Sequence, residues 1–599
     1  MCGIVAIFAY APNAAPNDAA ELDAIRDRMA SRGPDGTGAW LSPDGRVALG
    51  HRRLSIIDLR AVADQPMAYD NGRLRIVFNG EIYNYKEIRA QLATLGHVFQ
   101  TDSDTEVLLH LYDRYGADMV RHIRGMYAFA LWDERRAGML LARDPFGIKP
   151  LYLADDGRTL RVASQVKALL ASGRVDTSIE PAGHVGFFLW GNVPDPFTLY
   201  HGIRALPAGT TMWIDRQRSE PARSFFNIGR ILAEAEADPV RANAAARREL
   251  LREALIDSVR HHLVADVQVG TFLSAGLDST TIAGLATELG ARNINTVTLG
   301  FREFEGGAND ETALAELVAR QRKTNHETRW VLGRDFAAER DRLFAAMDQP
   351  SIDGVNTYFV AKAAQETGLK VALSGLGGDE LFGGYPSFRQ IPRLVQALSP
   401  LAAIGWPGRL VRAISSPWLG QFTSPKYAGT LEYGSSWAGA YLLRRSLFMP
   451  WELKEILPRE VVRAGLDKLQ TLEELDATIV DIRSPRLKVS ALELSWYMRN
   501  QLLRDSDWAG MAHSIEIRVP FVDAELFRRL APLLAADRPP GKQEMADTLH
   551  TKLPEPILNR AKTGFVVPVR EWLLGEKSTA PRGLRGWAQS VYDAQRTAA

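Results

Sequence analysis

The chain begins Met1-Cys2-Gly3-Ile4-Val5-Ala6-Ile7-Phe8, and Cys2 is the one cysteine in its 599 residues. Removal of Met1, which a small second residue permits, leaves a thiol and a free α-amine on the same residue. The reference pKa is about 7.7 to 8.0 for an α-amine and about 8.5 for a thiol, so the amine can take the thiol proton during attack. A lone cysteine is more often a small buried hydrophobe. The second position favours a nucleophile instead, because most chains would place a chance cysteine elsewhere.

Length and composition limit the classes of protein that this sequence can encode. A chain of 599 residues is too long for one hydrophobic core and is expected to form about two to four domains. Lys plus Arg number 72 and Asp plus Glu 71, so no net field favours nucleic acid or an anionic membrane as a partner. A single cysteine excludes an internal disulfide and a cysteine-based zinc cluster.

The sequence also carries indications of location. No apolar run reaches the length of a membrane span, and residues 1–20 lack the basic start of a signal peptide. A chain with one cysteine suits a reducing compartment. We therefore expect a cytoplasmic protein.

The first two hundred residues combine short β-like runs with two amphipathic helical segments. The β-like runs are Gly3–Ala9, Val47–Gly50, Leu74–Phe78, Tyr127–Trp132 and Gly138–Ala142, and the helical segments are Ala20–Met29 and Thr105–Tyr115. This mixture predicts a layered α+β domain. Pro and Gly interrupt regular patterning over residues 193–209. We expect a first domain over 1–205, a linker over 206–243 and a second domain over 244–599.

Several polar clusters interrupt the first domain in a way that a core does not require. They are Arg32–Gly36, His51–Ser55, Phe78–Asn84 and Thr101–Glu106. Singly, each has an ordinary explanation: Asn79-Gly80 is a common tight turn, and Ser103 with Glu106 forms a capping box. Their occurrence together with Cys2 favours a shared functional site.

Read in order, the start of the chain and these clusters resemble the class II glutamine amidotransferases, which are N-terminal-nucleophile glutaminases. The resemblance spans about residues 2–170. It implies that Cys2 attacks the side-chain amide of glutamine. Asn79 and the backbone N–H of Gly80 would form an oxyanion hole, donating to charge that develops only in the tetrahedral intermediate.

The resemblance also implies how glutamine is held. A zwitterionic amino acid needs one cationic and one anionic clamp. Arg53 would bind the α-carboxylate, and Glu81 and Asp104 would contact the α-amino group. The segment Arg143–Tyr152 matches a further part of the family pattern and is expected to support the structure near the domain interface.

Strands alternate with helices after a long amphipathic helix that begins near Ala244. Strands are predicted at Val267–Leu273, Asn295–Phe301 and Lys370–Ser374, with helices at Glu311–Arg322 and Thr357–Glu366. This alternation predicts an α/β, doubly wound parallel sheet with extra helices.

Two glycine-containing loops follow predicted strands in this second half. They are Ser274-Ala275-Gly276-Leu277-Asp278-Ser279 and Ser374-Gly375-Leu376-Gly377-Gly378-Asp379-Glu380. A small turn between a strand and a helix allows backbone N–H groups to bind phosphate. Carboxylates beside such a site attract Mg²⁺, which prefers oxygen ligands together with substrate phosphates. Neither loop has the Gly-x-x-x-x-Gly-Lys-Ser/Thr pattern of the nucleotide hydrolases.

The first loop resembles the Ser-Gly-Gly-x-Asp-Ser pyrophosphate loop of ATP pyrophosphatases, which adenylate a carboxyl or carbonyl oxygen; Ala275 replaces a glycine of that pattern. A class II glutaminase followed by this loop is the domain order of the glutamine-dependent asparagine synthetases. The resemblance continues at Met511–Asp523 and Arg560–Phe565 and covers nearly the whole chain.

This second resemblance implies that ATP and Mg²⁺ are required. ATP would be bound by Ser274, Gly276, Asp278, Ser279, Ser374 and Gly375. Asp278 and Asp379 would hold the magnesium ions. Lys562 would neutralise pyrophosphate and the charge that develops at the adenylate, with Lys542 as the weaker candidate. Glutamine would supply ammonia, which travels inside the protein to an adenylated carboxylate.

The identity of the acceptor depends on Leu376. Asparagine synthetases commonly carry an acid at this position, and leucine can neither take a proton from ammonia nor pair with a cation. Aspartate, giving asparagine, is the first candidate. Another carboxylate, such as a sugar acid or a natural-product precursor, is the alternative that Leu376 suggests.

Other readings of the two halves predict different residues. A glutaminase attached to an inactive domain, acting as a sensor or scaffold, predicts loss of Asp278 and Asp379, and both are present. Amidotransferases of the sugar-phosphate or phosphoribosyl type lack the pyrophosphate loop.

Family members are often homodimers, and residues 386–463 are expected to pack irregularly around the second site. The tail from Ser578 has little periodicity and is expected to be mobile.

Overall fold

The computed structural model describes residues 2–217, 220–290, 294–401, 408–414, 424–560, 568, 572 and 584–597. In chain order, the strands are β1 (Gly3–Ala9), β2 (Gly36–Leu41), β3 (Val47–Arg53), β4 (Met67–Tyr69), β5 (Leu74–Ile82), β6 (Gly125–Asp133), β7 (Gly138–Arg143), β8 (Tyr152–Asp155), β9 (Thr159–Ala163), β10 (Arg204–Ala205), β11 (Thr210–Asp215), β12 (Arg223–Ser224), β13 (Val269–Phe272), β14 (Asn295–Phe301), β15 (Asn325–Val331), β16 (Val371–Leu373) and β17 (Glu516–Arg518).

The α-helices are α1 (Ala19–Asp27), α2 (Tyr85–Thr94), α3 (Asp104–Tyr115), α4 (Val166–Leu170), α5 (Pro181–Trp190), α6 (Ile228–Ala237), α7 (Ala244–His262), α8 (Leu277–Glu288), α9 (Thr312–Arg322), α10 (Gly333–Ala346), α11 (Val355–Glu366), α12 (Gly378–Phe382), α13 (Ser387–Leu398), α14 (Thr430–Tyr433), α15 (Trp437–Arg445), α16 (Arg459–Leu469), α17 (Thr471–Ile479), α18 (Pro485–Leu492), α19 (Arg504–Ala512), α20 (Ala524–Leu534), α21 (Lys542–Ala546), α22 (Glu555–Leu558) and α23 (Arg585–Thr597). A π-helical segment over Glu493–Leu503 joins α18 to α19.

The N-terminal part is built from two antiparallel sheets. Their strand orders are β10-β8-β9-β1-β3-β2 and β12-β11-β7-β6-β5-β4. Apolar side chains such as Ile4, Val77 and Leu141 fill the space between the sheets. Helices α1 and α4 cover the outer face of the first sheet, and α2 and α3 cover that of the second. Because alternate side chains point to opposite faces of a strand, both faces of each sheet are buried, which confirms the predicted layered α+β architecture.

The C-terminal part contains a parallel sheet of order β15-β14-β13-β16-β17. From β13 the chain builds outward through β14 and β15, and then returns to add β16 and β17 on the other side. Ligands of such sheets bind beyond the carboxyl ends of the strands at this switch point. The predicted α/β class is confirmed, and the loops that follow β13 and β16 lie next to each other.

Two stretches differ most from the predicted helices and strands. Strand β5 runs four residues beyond the predicted Phe78, so Asn79-Gly80 lies within a strand and not in a turn. Helix α23 occupies part of the tail expected to be mobile, and its Trp587 and Val591 are buried.

Regular structure also occurs within the predicted linker, where β11 pairs with β7 and α6 lies. The division of the chain into domains stays a prediction. Among the described residues, no helix has the length and apolar character needed to span a membrane.

Candidate active sites

Cys2 lies directly before β1, where two hydrogen bonds fix its backbone. Its backbone nitrogen donates to Asn79 Oδ1 at 2.9 Å, and its carbonyl oxygen accepts from Arg32 Nε at 3.1 Å. Burial raises the pKa of the Cys2 thiol, and a backbone hydrogen bond involving Leu54 acts in the opposite direction. The resting thiol therefore holds its proton at neutral pH and needs a base to become a nucleophile.

Asn79 is fully buried, and only one end of its amide is used. Its Oδ1 accepts the Cys2 hydrogen bond, whereas no described residue is a hydrogen-bond partner of its Nδ2. A buried N–H group without a partner is uncommon and costly. Beside it, a Cβ on Gly80 would lie 2.1 Å from the carbonyl oxygen of Met126, so glycine is required for this close strand packing. The geometry presents a free donor next to Cys2.

Arg53 is nine-tenths buried, and both terminal nitrogens of its guanidinium are bonded to the loop that follows β3. Its Nη1 donates to Asp64 Oδ1 at 2.7 Å and to the carbonyl oxygen of Arg60 at 3.0 Å. Its Nη2 donates to the carbonyl oxygen of Asp58 at 2.5 Å. The guanidinium is therefore held in place by this loop, and its contact with the glutamine carboxylate stays a prediction.

Glu81 and Asp104 belong to a buried cluster of carboxylates. Burial and the nearby Glu516 raise the pKa of Asp104 to about 6 and that of Glu81 well above its ordinary value. Glu516 has a pKa of about 2, because cations that include Arg518 and Lys149 outweigh the effect of its burial. An ammonium group placed between Glu81 and Asp104 would favour their charged forms, so the cluster suits an α-amino group.

Arg32 and Asp507 form a buried link between the two halves of the chain. Arg32 Nη1 and Nη2 donate to the Asp507 carboxylate at 2.6 and 3.0 Å, and Arg32 is 0% exposed. Because Arg32 Nε also contacts the Cys2 carbonyl, this forked pair ties the cysteine to α19. Arg32 opens one of the polar clusters of the sequence, but the sequence alone gave neither residue a role.

Strand β17 stands between the two candidate sites. Arg518 Nη2 lies 3.5 Å from Glu81 Oε2, and Arg518 Nε donates to Glu516 at 2.6 Å. The intervening Ile517 lines the large cavity of the C-terminal half. Alternation along the strand thus directs two charged side chains toward the glutaminase residues and one apolar side chain toward the other site.

The first glycine loop is held closed by its two serines. The hydroxyls of Ser274 and Ser279 lie 2.9 Å apart, and the Gly276 backbone N–H donates to Ser274 Oγ at 3.1 Å. Ala275 is 1% exposed and belongs to the hydrophobic core. Its methyl group therefore packs inward, which explains how alanine is accommodated where the family pattern has glycine.

The second loop packs directly on the first. A Cβ on Gly375 would lie 2.8 Å from Asp278 Cβ, and one on Gly378 would lie 2.5 Å from Asp278 Oδ1. Gly377 has φ of +96°, a conformation that glycine adopts without strain. The backbone N–H of Ser374 donates to the carbonyl oxygen of Arg518 at 2.8 Å, which fastens this loop to β17.

Lys542 joins the carboxylates of the two loops. Its Nζ lies 2.9 Å from Asp379 Oδ1 and also contacts Asp278 Oδ1. Burial acts to lower the pKa of Lys542, but the two carboxylates outweigh it and raise that pKa above its ordinary value. The residue that the sequence ranked second thus lies in the site, whereas Lys562 lies outside the described residues.

Leu376 lines a cavity of about 590 Å³, and other residues of both glycine loops line the same cavity. Glu380 lines the same cavity, accepts a hydrogen bond from Tyr385 Oη at 2.9 Å, and has its pKa raised to about 7 by burial and by Asp379. The site therefore contains an apolar side chain at position 376 and a carboxyl group that titrates near neutrality.

Comparisons with known proteins also divide the chain into two parts with different chemistry. A family model described as a glutamine amidotransferase domain matches residues 1–226, and one described as asparagine synthase matches residues 250–597. Asparagine synthetase [glutamine-hydrolyzing] 1 of Bacillus subtilis is 31% identical over 98% of this chain and 90% of its own length. Asparagine synthetase B [glutamine-hydrolyzing] of Escherichia coli is 32% identical over 65% of this chain and 66% of its own length. Amidase chry2 of Gibberella zeae is 32% identical over 65% of this chain and 60% of its own length.

Fold, site and these relatives define a glutamine-dependent carbon–nitrogen ligase, in which a glutamine amidotransferase domain is joined to an ATP-dependent synthetase domain. The chain belongs to the glutamine-hydrolysing asparagine synthetase family. Its reaction is an ATP-driven amidation with glutamine as the amido donor, as the sequence predicted.

Proposed function

We propose that the protein hydrolyses glutamine at Cys2 and delivers the ammonia to a carboxylate that ATP has converted to an acyl-adenylate. The observation that carries this proposal is the position of β17. Its Arg518 lies beside Glu81, and its Ile517 lines the cavity of about 590 Å³ next to the two glycine loops, which we call the nucleotide cavity. Ammonia released into water is mostly ammonium, which is not a nucleophile. Because β17 contacts both sites, ammonia could pass from one site to the other without entering bulk water.

The first half-reaction uses the groups around Cys2. Once Met1 is removed, the Cys2 α-amine accepts the thiol proton, and the sulfur attacks the side-chain carbon of glutamine. The Asn79 Nδ2 and Gly80 N–H groups stabilise the oxyanion. The Cys2 ammonium returns the thiol proton to the amide nitrogen, the carbon–nitrogen bond breaks, and ammonia leaves behind a thioester, which water hydrolyses to glutamate and the free thiol. Arg53, Glu81 and Asp104 hold the α-carboxylate and α-amine.

The second half-reaction uses the paired glycine loops. Ser274, Gly276, Ser279, Ser374 and Gly375 bind ATP through hydroxyl and backbone N–H groups. A carboxylate oxygen of the acceptor attacks the α-phosphorus of ATP and releases pyrophosphate. Ammonia then displaces AMP from the acyl-adenylate. Lys542 balances the negative charge of the phosphates.

Asp278 and Asp379 fit a magnesium ion by the chemistry of their donors. Both carboxylates reach one cationic atom, Lys542 Nζ, so they converge on a single position. Mg²⁺ prefers carboxylate oxygens combined with substrate phosphates and water. When bound, it would neutralise phosphate charge and make pyrophosphate a better leaving group.

Two acceptors are supported by different observations. L-Aspartate, giving L-asparagine, is supported by the names of the Bacillus and Escherichia relatives. A different carboxylate is supported by Leu376, which supplies neither a base nor a charge at the acceptor.

A pyrophosphate-release assay tests the proposed reaction. The protein is incubated with ATP, Mg²⁺ and either glutamine or ammonia, across a panel of carboxylates that starts with aspartate. We expect AMP and pyrophosphate in equal amounts with at least one carboxylate, and one glutamate per amide when glutamine is the donor. Pyrophosphate release that no carboxylate stimulates would contradict the proposal. Lack of stimulation by aspartate alone would exclude aspartate and leave the second acceptor class.

A further inference from the structure

A second cavity opens beside the nucleotide cavity and shares two of its walls. It has a volume of about 270 Å³ and is lined by Asp353 and Tyr497, which also line the nucleotide cavity. We call it the tryptophan cavity, after Trp190 and Trp496 in its lining. A cavity of about 150 Å³ is large enough to bind benzene. A group of the size of an aromatic ring therefore fits in the tryptophan cavity.

Two buried polar atoms in the lining lack partners. Trp190 is 7% exposed and Asn192 5% exposed, and neither Trp190 Nε1 nor Asn192 Oδ1 has a hydrogen-bond partner among the described residues. The neighbouring Trp496 differs, because its Nε1 donates to Thr478 Oγ1 at 3.1 Å. Unpaired buried donors and acceptors carry a cost unless a ligand or water satisfies them. The tryptophan cavity therefore offers one donor and one acceptor to an occupant.

The two arginines in the lining are used in different ways. Arg445 pairs with Glu493 at 2.8 Å and lies over the rings of Tyr385 and Tyr497. Arg444 also lines the cavity and forms no ion pair with any residue that the structure describes. A guanidinium of this kind is suited to a forked contact with a carboxylate.

We propose that the tryptophan cavity binds the distal part of the acceptor, and that the acceptor is a dicarboxylic acid with an apolar, ring-sized body. One carboxylate would be adenylated beside Leu376, the body would lie past Tyr497 against Trp190, and the second carboxylate would pair with Arg444. This inference rests on the proposed amidation and selects its second class of acceptor. An apolar side chain at position 376 suits such a body better than an acid does.

Three probe acids test the size and charge of the acceptor. Pyrophosphate release is measured with saturating ammonia, so that the glutaminase does not contribute, using L-aspartate, phenylacetate and 1,4-phenylenediacetate. We expect kcat/KM for 1,4-phenylenediacetate to be at least about tenfold above that for each of the other two acids. Aspartate as the best of the three would overturn the inference and leave the amidation intact. Release that none of the acids stimulates would overturn both the inference and the proposed reaction with these classes of acceptor.

Substitutions in the lining separate a binding role from a structural one. For Arg444→Gln we expect KM for 1,4-phenylenediacetate to rise about tenfold, with kcat and glutamine hydrolysis changed less than twofold. Trp190→Phe retains an aromatic ring, although a smaller one, and removes the donor, so a smaller rise in KM is expected. Arg459→Gln, on the exposed start of α16, is the matched control. Unchanged KM in both cavity variants, or the same change in the control, would overturn the assignment.

Discussion

Asn79 is oriented by the residue that it would assist. The Cys2 backbone nitrogen bonds Asn79 Oδ1, so the amide cannot rotate without losing that hydrogen bond, and Nδ2 is the atom left to donate. A donor fixed before the reaction begins costs no reorganisation when the oxyanion forms. With Met1 removed, this contact would be made by the Cys2 amine, which would connect the proposed nucleophile, its base and the oxyanion donor.

Substitution of Asn79 tests this arrangement. Asn79→Asp retains an oxygen for Cys2 and removes the Nδ2 donor. We expect kcat for glutamine hydrolysis to fall by about 10²-fold to 10³-fold, the range seen when one oxyanion donor is removed. Glutamate release at saturating glutamine gives kcat, and ammonia-dependent AMP formation serves as the control because it bypasses this site. A fall of less than threefold in glutamate release would contradict the role.

Substitution of Cys2 tests the nucleophile itself. Cys2→Ala removes the sulfur and retains the backbone contacts of residue 2. We expect no measurable glutamate release, while ammonia plus ATP still supports AMP formation at a rate within about twofold of the unchanged protein, since the second site lies across β17. Glutamine-dependent product formation by this variant would exclude Cys2 as the nucleophile.

The carboxylate cluster predicts how glutamine binding responds to pH. The pKa of Asp104 is raised to about 6, so Asp104 gains a proton as the pH falls through 6 and loses the charge that attracts the α-ammonium of glutamine. We therefore expect KM for glutamine to rise several-fold between pH 7.5 and about 5.5, with little change above pH 7. In Asp104→Asn this part of the pH dependence should disappear, and an unchanged profile in that variant would assign it to another group.

At the scale of elements, sequence patterns predicted strands with a continuous or alternating apolar pattern and failed where only strand pairing extends the strand. The bounds of β1 and β14 are those predicted, because Gly3–Ala9 is apolar throughout and Asn295–Phe301 alternates apolar residues with β-branched threonines and a glycine. The polar Asn79-Gly80-Glu81 breaks that pattern, yet β5 continues through it because each residue pairs with β6. Helix α23 was missed because its Trp587 is buried against Phe336 and Phe344, which are distant in sequence.

The residues of the candidate sites also fall into two groups: those that a local motif indicates, and those whose position depends on contacts formed on folding. Motif order located Cys2, Asn79 and both glycine loops, since each lies in a short run with a distinctive composition. The position of Lys542 between Asp278 and Asp379 could not be predicted, because these carboxylates lie on two loops more than 160 residues before it. No local pattern distinguishes it from a solvated lysine. Contacts of this kind are visible only after folding.

The packing of the two glycine loops predicts the effect of one added methyl group. In Gly375→Ala the new Cβ would lie 2.8 Å from Asp278 Cβ and 2.9 Å from the Ser279 backbone nitrogen, so one loop must move. Overpacking of this kind typically costs about 1–3 kcal/mol. We expect kcat/KM for ATP in acceptor-dependent pyrophosphate release to fall by about tenfold or more. Glutamine hydrolysis should be retained, and its parallel loss would point to general misfolding.

At the scale of the whole molecule, two buried ionic links connect the sites. Arg32 joins the Cys2 carbonyl to Asp507 on α19, and Arg518 lies beside Glu81 while its backbone holds Ser374. Each link starts from a residue of the predicted glutamine site, Cys2 in one and Glu81 in the other. Both would keep that site in a fixed position relative to β17 and α19, and so beside the nucleotide cavity that β17 lines.

Loss of the Asp507 charge therefore predicts uncoupling of the two reactions. In Asp507→Asn, Arg32 keeps a hydrogen-bond acceptor but loses its buried ion partner, a change that can cost about 3–5 kcal/mol. We expect glutamine hydrolysis and ammonia-dependent synthesis each to persist at a measurable rate, while the ratio of glutamate to amide rises from one to about two or more, because ammonia escapes when the halves are no longer held together. The ratio is measured with glutamine as the sole donor, beside Asp467→Asn on the exposed side of α16 as the control. A thermal melt of each variant distinguishes lost register from lost folding. A ratio that stays at one in a folded Asp507→Asn protein would mean that Arg32 and Asp507 stabilise the chain without coupling its sites.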